Sequence, residues 1–285
     1  MKKTLILAIT LLSSLAAFSS NSAIVGDVNN DGAVTVADVT AMFNYFLEGD
    51  ETYLANYDVD GDGHITSADI TVIYNIILGI PYETHDYVDL GLPSGTLWAT
   101  TNVGASSPEE CGYYFSWGDT TPRNGEDPFW TNYKWNVNKW NTMTKYCTNS
   151  SHGYNGLVDN LTELEPEDDA ATANWDSGWQ MPSKTQMEEL RTKCTWQWTT
   201  KNGVKGYTVK SKNNGNSMFL PVTNYYSNGQ IYYAGNLGYY WLRTLHETSS
   251  YKAYYLYFYT SSNLECTYGE RYSGFVVRAV RTQSY

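Results

Sequence analysis

The chain has 285 residues, a formal net charge of −12, 17% charged residues and 15% aromatics. Such aromatic content excludes a disordered chain, and the acidity excludes a nucleic-acid binder, which needs a basic face to displace phosphate counterions. The length fits one large domain or a small one plus a larger one.

The charge is uneven. Residues 24–80 carry ten acids and no Lys or Arg, so this stretch repels itself unless a bound cation offsets the charge. Ahead of it stand the basic Met1-Lys2-Lys3, an uncharged apolar run from Thr4 to Phe18, and small residues up to Ala23. This pattern predicts a secretory signal peptide over 1–23, cleaved near Ala23, and a protein that is secreted, periplasmic or at the cell surface. The apolar run, about 15 residues, is short for a membrane span of roughly 20.

Residues 24–80 contain an internal repeat. Asp27-Val28-Asn29-Asn30-Asp31-Gly32-Ala33-Val34-Thr35-Val36-Ala37-Asp38 aligns with Asp58-Val59-Asp60-Gly61-Asp62-Gly63-His64-Ile65-Thr66-Ser67-Ala68-Asp69, offset by 31 residues. Oxygen-bearing side chains stand at loop positions 1, 3, 5, 9 and 12, with Gly at 6 and a backbone carbonyl, of Ala33 or His64, at 7. Calcium takes six to eight oxygens at about 2.3–2.6 Å, and a tight turn at the Gly wraps the chain round the ion. The predicted ligands of two Ca2+ are therefore Asp27, Asn29, Asp31, Ala33, Thr35 and Asp38, and Asp58, Asp60, Asp62, His64, Thr66 and Asp69. His64 serves through its carbonyl, its ring turned to solvent.

Position 12 is Asp in both loops where the EF-hand has Glu, and Ile24-Val25-Gly26 cannot form an incoming helix. A helix follows each loop, marked by Val39, Met42, Phe43, Phe46 and Leu47 and by Ile70, Ile73, Ile76 and Ile77. Gly49, and Gly79 with Pro81, supply the stops. Val34 and Ile65, at position 8, are expected to meet across a small core.

Loop then helix, twice, with Asp at position 12, resembles the type I dockerin domain. The resemblance implies a small all-α pair of calcium loop–helix units with two Ca2+ over residues 24–80. It also implies docking to a cohesin module on a scaffold of polysaccharide-degrading enzymes. In that family loop positions 10 and 11 help select the cohesin; here they are Val36 and Ala37, then Ser67 and Ala68. The pairs differ, which gives less support to the symmetric two-way docking of some dockerins.

Residues 81–86 read as a short linker. Residues 87–282 hold all ten Trp and most of the Tyr. Tyr113–Trp117, Tyr207–Lys210, Ser217–Leu220 and Tyr254–Tyr259 read as strands. Ser183 and Gln186 form a capping box, with Met187, Leu190 and Cys194 on one face of a helix running to about Thr195. Cys111, Cys147, Cys194 and Cys266 are compatible with two disulfides or with buried thiols, and no CxxC supports a zinc knuckle.

The segments Tyr87–Ala105, Tyr114–Gly118, Trp179–Ser183, Cys194–Thr199, Phe219–Pro221, Tyr240–Trp241 and Gly274–Arg281 together resemble the Fibrobacter succinogenes major paralogous domain of secreted Bacteroidetes proteins. That family is thought to share the C-type lectin-like fold, which implies an α+β, strand-rich domain over 87–282. In retroelement-diversified relatives the stretch before the final strand is the ligand surface; its equivalent here lies between Trp241 and Val276. At period two, Tyr254, Leu256 and Phe258 share one strand face and Tyr255, Tyr257 and Tyr259 the other. The candidate ligand surface is Trp241, Tyr251, Tyr255, Tyr257, Tyr259, Tyr268, Arg271 and Tyr272, facing a glycan or a surface protein. The competing reading is that these Tyr fill a β-core or line loops.

GxSxG, HExxH and GxxxxGK[ST] are missing from the sequence. The four His are scattered, and Glu163–Asp169 reads as a solvated loop. Formylglycine-generating relatives use a cysteine pair near the C-terminal end, where this chain has Cys266 alone. The sequence therefore predicts a secreted, non-catalytic binding protein. The alternatives are an accessory component of polysaccharide degradation docked to a cohesin scaffold, and a glycoside hydrolase, whose two carboxylates sequence does not reveal.

Overall fold

A computed structural model describes residues 24–49, 54–60, 65–79, 85–123, 129–175, 178–223, 225–227, 230–232, 235–260 and 263–282. The chain divides into two compact units, Met1–Tyr82 and Glu83–Tyr285. The expected signal peptide, Asp62, His64 and most of the expected linker lie outside the described residues. Among the described residues no helix is long and apolar enough to cross a membrane.

The first unit is built on two helices, α1 (Val36–Glu48) and α2 (Ser67–Ile77). Thr35 caps α1 through a capping box with Asp38, and Gly49, at φ 64°, ends it in the left-handed conformation that glycine tolerates. Val39, Met42, Ile70, Val72 and Ile73 form a core with Val28 and Val59, and Val34 and Ile65 both pack against it. Gly26 is held at φ +91°, a conformation that favours glycine, close to α2: a Cβ would lie 2.9 Å from Ile76 Cδ1. The expected apolar face of α1 is split: Phe43, Phe46 and Leu47 are 50%, 39% and 83% exposed. At 3.6 residues per turn, Val36, Phe43 and Leu47 fall on a stripe about a quarter-turn from Val39 and Met42.

The second unit is strand-rich. In chain order it comprises β1 (Tyr87–Asp89), β2 (Thr96–Ala99), α3 (Ala170–Asn174), α4 (Lys184–Lys193), β3 (Cys194–Lys201), β4 (Val204–Ser211), β5 (Ser217–Pro221), β6 (Tyr225–Ser227), β7 (Gln230–Tyr232), β8 (Leu237–Leu245), β9 (Lys252–Tyr259), β10 (Asn263–Glu270) and β11 (Val280–Thr282). The strands pair antiparallel in three-stranded sheets of order β1–β2–β11, β3–β4–β5 and β10–β9–β8, with β6–β7 as a hairpin.

The β10–β9–β8 sheet lies between two cores. Tyr240, Leu242, Tyr254, Leu256 and Phe258 point into one, with Met187 and Leu190 of α4. Trp241, Leu245 and Ala253 point into the other, with Phe115, Trp117, Phe275 and Val277. Burying one aromatic or aliphatic side chain here contributes about 1.5–3 kcal/mol, which is how a unit of small separate sheets holds together.

Local signals match the structure more closely than long-range ones. Ser183 caps α4 with Gln186 as expected, but the helix ends at Lys193. Cys194 is drawn into β3 by pairing with Ser211. Tyr113–Trp117 forms no named strand; Phe115 makes a single bridge to Phe275. All four cysteines are free thiols. Burial pushes the Cys194 thiol up to about 11 and that of Cys266 to about 12, so both are poor nucleophiles. The expected solvated loop over Glu163–Asp169 is in part interior, with Asp168 and Asp169 each 2% exposed. Lys134, Lys145 and the Tyr146 hydroxyl converge on Asp168, and Lys145 also reaches Glu165 and Glu167. That acidic cluster already holds its cation, a lysine.

Candidate functional site

The two loops of the first unit are built alike. In the first, Asp38 is fully buried; its Oδ1 accepts from Asn29 N–H at 3.2 Å and its Oδ2 from Thr35 N–H at 2.8 Å. In the second, Asp69 is fully buried; its Oδ1 accepts from Asp60 N–H at 3.2 Å and its Oδ2 from Thr66 N–H at 2.7 Å. The partners are shifted by the 31 residues of the repeat. The first loop curls further through Asp27, whose Oδ1 and Oδ2 accept from Asp31 and Gly32 N–H, and through Asp31, which accepts from Ala33 N–H. Gly32, at φ +94°, makes the turn that position 6 requires. Asn56 Nδ2 donates to the Val28 carbonyl at 2.6 Å, tying the segment before the second loop to the first.

In the second loop, one carboxylate oxygen from each of Asp58, Asp60 and Asp69 lies within 4.8 Å of the others. Burial raises the Asp69 carboxyl above its usual range, and Asp58 raises it further, against three backbone N–H donors that lower it. A cation at the convergence removes that penalty, because it favours the ionised form of every group facing it. The donors are all oxygens, some charged and some neutral, which suits a hard divalent ion of flexible coordination. Asp27, Asn29, Asp31, Asp38, Asp58, Asp60 and Asp69 thus fit calcium as a group; Asp62 and His64 lie outside the described residues.

The exposed side of the helices repeats as well. Val36, Thr40, Phe43 and Leu47 on α1 correspond, 31 residues on, to Ser67, Thr71, Tyr74 and Leu78 at α2, and all eight are exposed. Thr40 and Thr71 both hydrogen-bond the carbonyl four residues back, at 3.0 and 3.2 Å. Leu78, one residue past α2, is 69% exposed. Exposed apolar side chains repeated on both helices make this side a candidate interaction surface. Of the predicted partner contacts, Val36, Ala37 and Ser67 lie on this side, whereas the Ala68 side chain is outside the described set. Phe43, Leu47, Tyr74 and Leu78 stand on the same side.

Residues 25–78 match the family model of the dockerin type I domain. Dockerin type I domains bind calcium and dock to cohesin modules, and the loops and the apolar stripe lie within the matched segment. No curated protein and no solved structure matches the chain.

In the second unit the eight expected ligand residues separate. Trp241 and Arg271 are fully buried and leave the candidate surface. Trp241 Nε1 donates to the Phe115 carbonyl at 2.9 Å. Arg271 donates to the Tyr133 hydroxyl and to the carbonyls of Tyr146, Ser250 and Lys145, its guanidinium 4.7 Å from the Trp117 ring centroid. Tyr268 pairs with Tyr254 across β10 and β9, which places it on the sheet face opposite Tyr255 and Tyr257, against His246 at 4.1 Å. Tyr251 and Tyr272 belong to a run of rings in the loops, between Trp140 at 5.0 Å from Tyr251 and Phe129 at 5.7 Å from Tyr272.

Tyr255, Tyr257 and Tyr259 share a face, as period two requires, but Tyr255 is half-buried on the core with its ring 4.8 Å from Phe275. Tyr257 is half-buried and Tyr259 is 44% exposed. The competing core reading therefore holds for Tyr255 and fails for Tyr259. Tyr239 and Glu265 join the Tyr257 row, and Phe129 and Trp140 join the loop rings. The first two reach this face through cross-strand register, and the last two stand in loops with no local pattern.

Proposed function

We propose that the first unit is a calcium-loaded docking module holding two Ca2+, and that it attaches an exported protein to a cohesin-bearing scaffold. The second unit is its cargo, a non-catalytic, C-type lectin-like domain for a glycan or surface-protein ligand. The observation that carries this reading is the repeat of buried Asp38 and Asp69 with the same backbone partners, each leading into a helix with an exposed apolar stripe. Capture of the full chain by a panel of immobilised cohesins, with calcium and again with EDTA, tests it. Retention by at least one cohesin in calcium, lost in EDTA, is expected. No retention under either condition contradicts docking.

A second reading concerns orientation. Positions 10 and 11 differ between the repeats, but Thr40 and Thr71, Phe43 and Tyr74, and Leu47 and Leu78 match, which supports docking through either helix. Under that reading Phe43→Ala and Tyr74→Ala each leave cohesin capture within about threefold, and the double variant loses at least about tenfold, because a second equivalent face compensates for the first.

A further inference from the structure

We propose that the end of the β8–β9–β10 sheet face that extends beyond the second core, carried by Tyr257, Tyr259 and Glu265, binds a neutral polysaccharide chain. This rests on the reading of the second unit as a ligand-binding domain and names the ligand's chemistry and its site.

Register assembles the face. Tyr257 stands opposite Tyr239 on β8 and Glu265 on β10, and Tyr255, in the next row, stands opposite Trp241 and Thr267. Rings two residues apart on one strand are spaced about 6.6–6.8 Å. The second core fixes the buried end of this face. Tyr239 stacks on Phe275 at 4.9 Å and 22°, and Tyr255 lies over Gly269, where a Cβ would come within 3.0 Å of its ring. Tyr257 leans on Tyr239 at 5.3 Å. The rings are therefore largely positioned before any ligand arrives, and binding orders little that is not already ordered.

The chemistry selects the ligand. Tyr rings offer flat apolar area, and each ends in a hydroxyl that both donates and accepts. Glu265 is exposed and forms no ion pair among the described residues. It is an acceptor only, and it lies close enough to Tyr255 and Tyr257 for its charge to raise both phenols, adding to the effect of burial. A sugar chain presents C–H faces to the rings and hydroxyl donors to the carboxylate. A uronic acid or sulfated chain brings like charge against Glu265 and is repelled.

The test is affinity electrophoresis of the full chain through gels containing mixed-linkage β-glucan, xyloglucan, galactomannan or polygalacturonate, followed by calorimetry on the polymer that retards it most. At least one neutral polymer retards the chain, and polygalacturonate does not. Tyr257→Ala with Tyr259→Ala weakens binding at least about tenfold, the usual consequence of truncating aromatic anchors, and Glu265→Gln weakens it about fivefold. Each variant keeps the wild-type melting temperature and calcium-dependent cohesin capture, so failure here is separate from failure of the docking reading. The proposal is overturned if no neutral polymer retards the chain, if polygalacturonate binds as well, or if a lysine-rich peptide is the better ligand. It is also overturned if Phe129→Ala with Trp140→Ala removes glycan binding while the sheet variants do not; the ligand-binding reading would then survive at a different site.

Discussion

Asp38 and Asp69 show why identity at a single position matters. Each is buried and accepts backbone N–H groups from its own loop, so each orders its loop and, under the calcium proposal, would also face the ion. Asp69→Ala is expected to remove one calcium equivalent in a titration and to lower the melting temperature of the first unit in calcium; an unchanged stoichiometry would sink the assignment. Arg271 is the contrasting case. Its composition signal, a basic residue between Tyr, suggests a surface, yet its partners Trp117, Tyr133 and Tyr146 are all more than a hundred residues away in the chain. No local pattern reveals that enclosure. Arg271→Ala leaves several buried acceptors unpaired and is expected to destabilise the second unit by on the order of 3–5 kcal/mol in denaturant unfolding. A change below about 0.5 kcal/mol would show that the side chain is dispensable.

Among elements, those specified by neighbours in sequence were legible and those specified by distant pairing were not. The Ser183–Gln186 box, the stop at Gly49 and the period-two alternation of β9 are short-range and appear as expected. The order β10–β9–β8, and the second core that claims Tyr255, depend on contacts that close only when the chain folds, so the tyrosine face emerged partly buried. The α1 stripe is a further instance: helical spacing fixes which residues share a stripe but not which stripe meets the core.

The start of α4 is also fastened over distance. Lys184 Nζ lies 3.0 Å from Glu247 Oε1 and 3.7 Å above the Tyr254 ring, and the Tyr254 hydroxyl donates to the same carboxylate. Burial tends to raise the Glu247 carboxyl, but the bonds from Tyr254 and Lys184 prevail and hold it down at about 2. A carboxyl depressed in the folded state stabilises the fold above its unfolded value of about 4.3 and loses that contribution as pH falls through its folded value. Glu247→Gln is therefore expected to melt about 2–4 °C below wild type at pH 6, with the gap closing from about pH 4.5 towards 2. The effect is no larger because the carboxylate is largely exposed. A gap that does not change with pH would contradict the ionic account.

At the scale of the whole molecule, the acidity divides the protein. Ten acids and no Lys or Arg fall in residues 24–80, where the repeat gathers seven carboxylates into two loops, whereas the second unit holds aromatic cores. The repeat made the first unit readable, because one motif printed twice in register fixes both loop and helix. The second unit has no repeat, and its resemblance to a lectin-like family remains a proposal. The two units should respond differently to chelation: in a thermal scan of the full chain, EDTA shifts only the transition that belongs to the first. The most direct measurement is a calorimetric titration of the calcium-free full chain with Ca2+. Two equivalents bound, with helix content rising as they bind, is the result this account predicts; no binding, or binding with no change in helix content, would contradict it.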